Sequence, residues 1–308
     1  MVLLLLCTPY GLMAASPYVI LPAMIWILLV VTHLIGLTAY TLLLRKQTSS
    51  PSSKLFIAFL MQVGLFVPAL LYLPLNMITF SHSFVSWVGL GVGALLLAGY
   101  MVFNVMALSK LDASVFTILF NVRIFVVTLL GYVLLGELPT SAQVVGGIVI
   151  FGSIVYLYMG KQSHWNTRST YLGIVTMGWF SMHALLEKYN LRSWSPENYL
   201  FFINLLVLLI LLFVVLLRRI LIVQELKRSW NKSMLLLMIA RSLSAYGYVY
   251  ALMYGSLAVT SYISSMSVVL IVVFGIYILK EHDHRLRKIG AAGIALIGMT
   301  IIFLSQLI

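Results

Sequence analysis

Two arginines stand where a lipid bilayer resists them. Arg123 lies near the middle of one long apolar run, and Arg241 within about one turn of the middle of another. An arginine at a bilayer centre costs about 2.5–3.5 kcal/mol on insertion scales, so each needs a partner or a use. The seven acidic residues, Asp112, Glu137, Glu187, Glu197, Glu225, Glu281 and Asp283, all fall at the ends of runs or between them. Two central cations without a central carboxylate predict a cavity that receives an anionic group. Guanidinium would hold a carboxylate or a phosphate through its bidentate fork. The competing reading is structural: each arginine snorkels, or bonds backbone carbonyls and Tyr or Asn side chains.

Polar residues recur at helical spacing around these cations. Asn121 shares a face with Ser114, Thr117 and Thr128, whereas Arg123 lies about 200° away at roughly 100° per residue. Arg241, Ser244 and Tyr248 line one face of their run, and Ser261, Ser264 and Ser265 one face of the next. Such small residues serve helix packing as readily as substrate contact. Tyr100 and Asn104 either face the cavity or join helices, and Trp179 is a further candidate. His33 and His183 titrate near neutral pH and are proton-coupling candidates; the alternative is a hydrogen-bonded core histidine. His183 shares a face with Trp179 and Glu187.

The elements that carry these residues must be membrane helices. Of the 308 residues, 62% are apolar and 8% charged, and the mean hydropathy is +1.09. A typical soluble domain has roughly 25% charged residues. Soluble enzymes, nucleic-acid binders and disordered scaffolds are excluded, because no polar skin remains to face water. The single cysteine, Cys7, excludes an intrachain disulfide and a cysteine-rich metal site. A spanning helix needs roughly 20 apolar residues, which gives ten spans: 22–44, 55–75, 85–108, 113–135, 141–160, 170–190, 198–218, 233–254, 257–279 and 287–306. Residues 1–21 are a separate apolar segment: an extra helix, a signal, or a misplaced start. Trp26, Trp87 and Trp165, near span ends, read as interfacial anchors.

The net charge of +12 sits between the spans. Fifteen of the nineteen Lys and Arg residues follow odd-numbered spans, and only Lys188 and Arg192 lie on the other side. Basic loops mark the cytoplasmic face. Odd-numbered loops are therefore expected inside and the C-terminus outside. The longest connection, between the seventh and eighth spans, has a part, Leu221–Leu226, suited to lie along the membrane surface.

An internal repeat is visible at an offset of 144. Ala107-Leu108 matches Ala251-Leu252, Glu137 matches Glu281, Gly131 matches Gly275, and Gly146 matches Gly290. Five spans separate the copies, an odd number, so the halves have opposite orientation. An inverted repeat is a transporter signature. At this offset Arg123 matches Ser267, so the two halves do not build the same site.

The stretch from Ala107-Leu108 to Gly136-Glu137, with Gln143 and Gly146-Gly147, resembles the EamA domain of the drug/metabolite transporter superfamily. The second copy, Ala251 to Glu281 and Gly290, resembles another, degraded at Lys280. The resemblance covers the ten spans. It implies an all-α polytopic membrane protein of about ten transmembrane helices in two inverted five-helix repeats, residues 22–160 and 170–306, around a central cavity. It also implies secondary transport of small metabolites, often export. Members often carry a proline in the fourth and ninth spans; none stands near Ile124 or Val268. Many also place their termini in the cytoplasm, opposite to the charge bias here.

The resulting expectation is a secondary transporter, not an enzyme, that moves a small anionic metabolite by alternating access. The site would be built from the first, third, fourth, sixth, eighth and ninth spans. No cofactor or metal is expected. His282-Asp283-His284 has no third ligand, and Gly89-Leu90-Gly91-Val92-Gly93 lies in an apolar helix rather than after a strand. The partners are a small-molecule substrate and the lipid bilayer, with no nucleic acid, in a monomer or homodimer. The location is the plasma (inner) membrane of a bacterium. A polytopic membrane enzyme would need acidic or nucleophilic clusters, and none is evident. A non-transporting membrane partner would need no cavity. Within transport, an amino-acid or drug exporter is the alternative.

Overall fold

The computed structural model describes residues 17–49, 51–72, 83–123, 126, 140–159, 167–254 and 264–304. Among them, the regular structure is entirely helical. The helices are α1 (Pro17–Thr48), α2 (Lys54–Tyr72), α3 (Phe84–Leu108), α4 (Ala113–Asn121), α5 (Ser141–Tyr158), α6 (Thr167–Asn190), α7 (Pro196–Leu217), α8 (Ile222–Ser229), α9 (Lys232–Tyr254), α10 (Ser267–Ile278) and α11 (Arg285–Leu304). Each of the ten apolar runs holds one of them. The short α8 occupies the long basic connection, where the sequence suggested a surface segment. Most of the 1–21 segment, Glu137, Gly131, Thr128, Ser261 and Trp165 lie outside the described residues.

Five described segments are long and apolar enough to cross a bilayer: Ile25–Thr48, Lys54–Leu71, Phe84–Leu108, Pro196–Leu217 and Lys232–Ala251. Their outer faces carry exposed Leu28, Leu71, Phe84, Leu95, Phe213 and Leu217. Lipid, not water, accepts such a surface, and helices satisfy the backbone inside it. The chain is an integral membrane protein. The start of α7 shows how local chemistry sets the boundaries. Ser195 caps the helix by accepting from the Asn198 N–H at 3.4 Å, Pro196 occupies the first turn, and Glu197 follows. Each feature suits a helix N-terminus.

Helices pack in a regular pattern: α1 on α9, α3 on α6, α2 on α7, α4 on α10 and α5 on α11. Small residues permit the closest crossings. A Cβ at Gly36 of α1 would meet the Ser244 backbone nitrogen at 2.6 Å, and one at Gly247 of α9 would meet the His33 nitrogen at 3.0 Å. Gly298 of α11 approaches the Gly146 carbonyl of α5 equally closely, at 2.6 Å from the same construction. Trp26 does not sit at the lipid interface as expected. It is buried with Val30 and Ala251, inside the α1–α9 crossing.

Two spans are interrupted without proline. The α4 helix ends at Asn121; Val122 forms a turn, donating to the Leu119 carbonyl at 3.2 Å, and Arg123 is helical again. On the other side, Ser264 and Ser265 are helical, Met266 forms a turn, and α10 continues from Ser267. Val122 and Met266 are 144 residues apart, the offset of the sequence repeat. Their dihedrals agree closely, at φ −60°, ψ −18° and φ −61°, ψ −19°. Tightened turns inside a helix often mark hinges.

Candidate functional site

A cavity of about 110 Å³ lies between the helices. His33 and Leu37 reach it from α1, Leu97 and Tyr100 from α3, Phe120 from α4, Arg123 beyond the Val122 turn, and Phe180, His183 and Glu187 from α6. Leu65 reaches it from α2, Tyr199, Leu200, Ile203 and Asn204 from α7, and Arg241, Ser244, Ala245, Tyr248 and Val249 from α9. By the roughly 10–15 Å³ one water needs, it has room for a small solute. On α6, α7 and α9 the lining residues lie from the middle of each helix toward the end remote from the basic connections.

The arginines meet here although they come from different halves of the chain. The Arg123 guanidinium lies 4.8 Å from the Phe120 ring centroid and 4.9 Å from that of Phe180. The Arg241 guanidinium lies 4.9 Å from the Tyr40 ring centroid. Cation–π contact supports a charge without using its hydrogen-bond donors. The Nε of Arg241 is buried without a partner. Tyr40 is itself held in place, since its hydroxyl accepts from the Asn104 amide. Asn104 thus acts behind the cavity, through Tyr40.

Each histidine ties two helices. His33 Nδ1 donates to the Ser244 carbonyl of α9 at 2.6 Å, and His183 Nδ1 to the Gly93 carbonyl of α3 at 3.2 Å. With its proton on Nδ1, His33 presents a lone pair on Nε2, which is buried without a partner. The ring of Tyr248 packs 5.1 Å from that of His33.

Of the sequence-derived candidates, Arg123, Arg241, Tyr248, Ser244, Tyr100, His33 and His183 line one cavity. The others are placed elsewhere. Asn121 is buried, and its amide donates to the Thr117 carbonyl one turn back at 2.9 Å. Trp179 fills the space left by Gly99 at the α3–α6 crossing and packs edge-to-face with Phe103, ring centroids 5.4 Å apart. Ser264 and Ser265 are buried beside the Met266 turn and are not among the lining residues.

Sequence reasoning missed three polar lining groups, Glu187, Tyr199 and Asn204; the Asn204 amide oxygen accepts from the Gln62 amide at 3.0 Å. Glu187 lies near the end of α6, yet lines the cavity in electrostatic reach of Arg241. The cavity therefore holds a carboxylate, contrary to the expectation of cations alone. The signal was available: Glu187 is one turn beyond His183 on the same face. Tyr199 also lines the cavity, with a buried hydroxyl that has no partner. No periodicity distinguishes it from a packing aromatic.

The basic end carries a cluster of paired charges. Asp112 precedes α4 and accepts from Lys288 Nζ at 2.7 Å and from Arg45 at 3.4 Å. Glu281 accepts from the Ala113 N–H at 2.7 Å, the Ser114 N–H at 3.2 Å and the Ser114 hydroxyl. It thereby caps α4 from across the molecule, where the helix dipole favours a negative charge. Lys288 is 1% exposed and also donates to the Glu281 carbonyl at 3.2 Å. A left-handed turn at Lys280, φ 57°, folds the chain back beneath α10. Gly275 leaves room for the carboxylate there: a Cβ would stand 3.0 Å from a Glu281 oxygen. Among the described residues, no group of three or more His, Cys, Asp or Glu side chains is placed to hold a metal ion.

Comparison with known proteins agrees with this architecture. Residues 168–305 match the EamA-like transporter family. A solved structure described only as the crystal structure of a protein shares 15% identity and superposes with a TM-score of 0.62, covering 90% of this chain and 98% of that chain. That likeness is one of fold. No curated protein matches the chain.

Proposed function

We propose that the chain, whose residues 168–305 match the EamA-like transporter family, is a secondary transporter of the drug/metabolite transporter kind that moves a small metabolite bearing a carboxylate or phosphate by alternating access. The observation that carries this reading is the meeting of Arg123 and Arg241, with an unpartnered donor, in one cavity. A buried donor without a partner costs about 1–3 kcal/mol; a ligand that supplies the acceptor recovers it. Tyr248, Ser244 and Tyr100 orient the solute from the walls.

Two inverted five-helix halves, 22–160 and 170–306, are the framework of the proposal. The helix pairings support it. Exchanging α1 with α6 and α3 with α9 turns the α1–α9 crossing into the α6–α3 crossing. The histidines obey the same exchange, because His33 bonds an α9 carbonyl and His183 an α3 carbonyl. The matched turns at Val122 and Met266 are the hinges a proline-free version needs. In the state described, the Asp112–Lys288–Glu281 cluster joins the two halves and closes the basic end. Breaking it would let that end open while the other closes.

By the charge bias, the closed end is cytoplasmic, in the plasma membrane of a bacterium. His33 and His183 are the candidates for coupling transport to protons. Asn121, Trp179, Ser264 and Ser265 remain candidates for contacts made in the opposite state.

The test is thermal unfolding of the purified protein in detergent, against anionic, cationic and neutral metabolites at matched ionic strength. Anions should stabilise, and Arg241→Gln or Arg123→Gln should remove the effect. Stabilisation by cations or neutral solutes, retained in both variants, would sink the anion site. Sidedness is read separately. A cysteine at Ala245 should react with a membrane-impermeant maleimide only from the side opposite the basic loops.

A further inference from the structure

The same cavity carries a charge that an anion alone does not use. Glu187 lines it together with Arg241, and among the described residues no cation stands within 4 Å of the Glu187 carboxylate. This is unlike the basic end, where Asp112 accepts from Lys288 at 2.7 Å. A carboxylate kept only as the counter-ion of Arg241 would be expected to form the direct fork that arginine and carboxylate favour. Instead the two side chains line the same cavity with no direct ion pair between them among the described residues. Two buried polar atoms of the same lining residues have no hydrogen-bond partner among the described residues: the Arg241 Nε and the Tyr199 hydroxyl.

We propose that Glu187 is a specificity-determining residue that takes the cationic group of a zwitterionic solute, whose carboxylate is held by Arg241 and Arg123. This rests on the anion-site reading above and adds a second pole to it. The arrangement orients the solute. Its carboxylate faces the guanidinium groups over the Tyr40, Phe120 and Phe180 rings, and its ammonium faces α6 at Glu187. The Tyr199 hydroxyl is placed to bridge, as it both donates and accepts. The size agrees: about 110 Å³ suits a solute of amino-acid dimensions and is far below the 300–1,000 Å³ of pockets for drug-sized ligands. A simple monoanion gains the arginines but must meet the Glu187 charge without a partner for it. A simple cation gains Glu187 but meets two guanidinium groups. Only a solute with both poles answers every charge in the cavity.

The experiment uses the full chain in detergent and reads ligand-dependent thermal stabilisation. The probes are the twenty common L-amino acids, each beside the carboxylic acid that lacks its α-amino group. At least one amino acid should stabilise the wild type with an apparent affinity ten-fold or more above that of its des-amino partner. Glu187→Gln should erase that preference, weakening the amino acid by about ten-fold while leaving the des-amino acid as tight or tighter. Glu187→Asp, which keeps the charge, should retain the preference at lower affinity and controls for folding. Arg241→Gln should weaken both ligands. Equal binding of each pair by the wild type, or an amino-acid preference that survives in Glu187→Gln, would overturn the proposal while leaving the anion site standing. If no carboxylate of either kind binds, the anion site and this inference fall together.

Discussion

The basic end and the central cavity are built from the same residue types and treat them oppositely. At the basic end, Arg45 and Lys288 face Asp112 and Glu281, and both carboxylates are bonded: Asp112 by two cations, Glu281 by the start of α4. In the cavity, Arg123 and Arg241 rest on aromatic rings, Glu187 has no cation within 4 Å among the described residues, and Arg241 Nε, His33 Nε2 and the Tyr199 hydroxyl have no partners. The difference separates two uses of buried charge. A saturated network joins elements and resists change. An unsaturated one is held ready for a ligand that completes it.

The sharpest way to break this comparison is to remove one charge from the saturated end. Lys288→Met leaves Asp112 facing only the longer Arg45 contact and should destabilise the protein by about 3–5 kcal/mol, as expected for a broken buried pair. Thermal unfolding in detergent reads this directly, and an unchanged melting temperature would contradict it. Next in size is the tight α1–α9 crossing. Gly36→Val places a side chain against the Ser244 backbone nitrogen and should cost at least about 1–3 kcal/mol through overpacking. Glu281→Gln keeps the shape of the α4 cap but not its charge. It should cost about 1–2 kcal/mol, the scale of a lost N-cap. Arg241→Gln should be the mildest for unliganded stability, within about 1 kcal/mol, because that arginine makes no salt bridge within 4 Å among the described residues. Its effect belongs to the bound state. A large loss of unliganded stability in Arg241→Gln would show the cavity charges to be structural after all.

The sequence reveals the helices because lipid imposes a length: each apolar run of about 20 residues contains one. It reveals the two interrupted spans less well. Val122 and Met266 carry no glycine or proline, and only the backbone hydrogen bonds disclose the turns. Arg123 and Arg241 stand out because a bilayer makes them costly. Glu187 does not, since near a span end a carboxylate is ordinarily solvated; here that end of α6 lines the cavity together with α7 and α9. Asn121 misleads for the opposite reason. A mid-span amide suggests a ligand, but its donor is used by its own helix at Thr117. Tyr40 is invisible to a search for charge, although it carries the Arg241 guanidinium on its ring.

The most direct test of the central claim is a paired unfolding measurement on Arg241→Gln and Lys288→Met, each with and without the anion that most stabilises the wild type. At 100 times its dissociation constant such a ligand adds about 2.7 kcal/mol. The account predicts that Arg241→Gln unfolds like the unliganded wild type and gains nothing from the anion. It predicts that Lys288→Met unfolds at a lower temperature but is still stabilised by ligand. The reverse pattern, with ligand stabilisation intact in Arg241→Gln and lost in Lys288→Met, would contradict the assignment of the two regions.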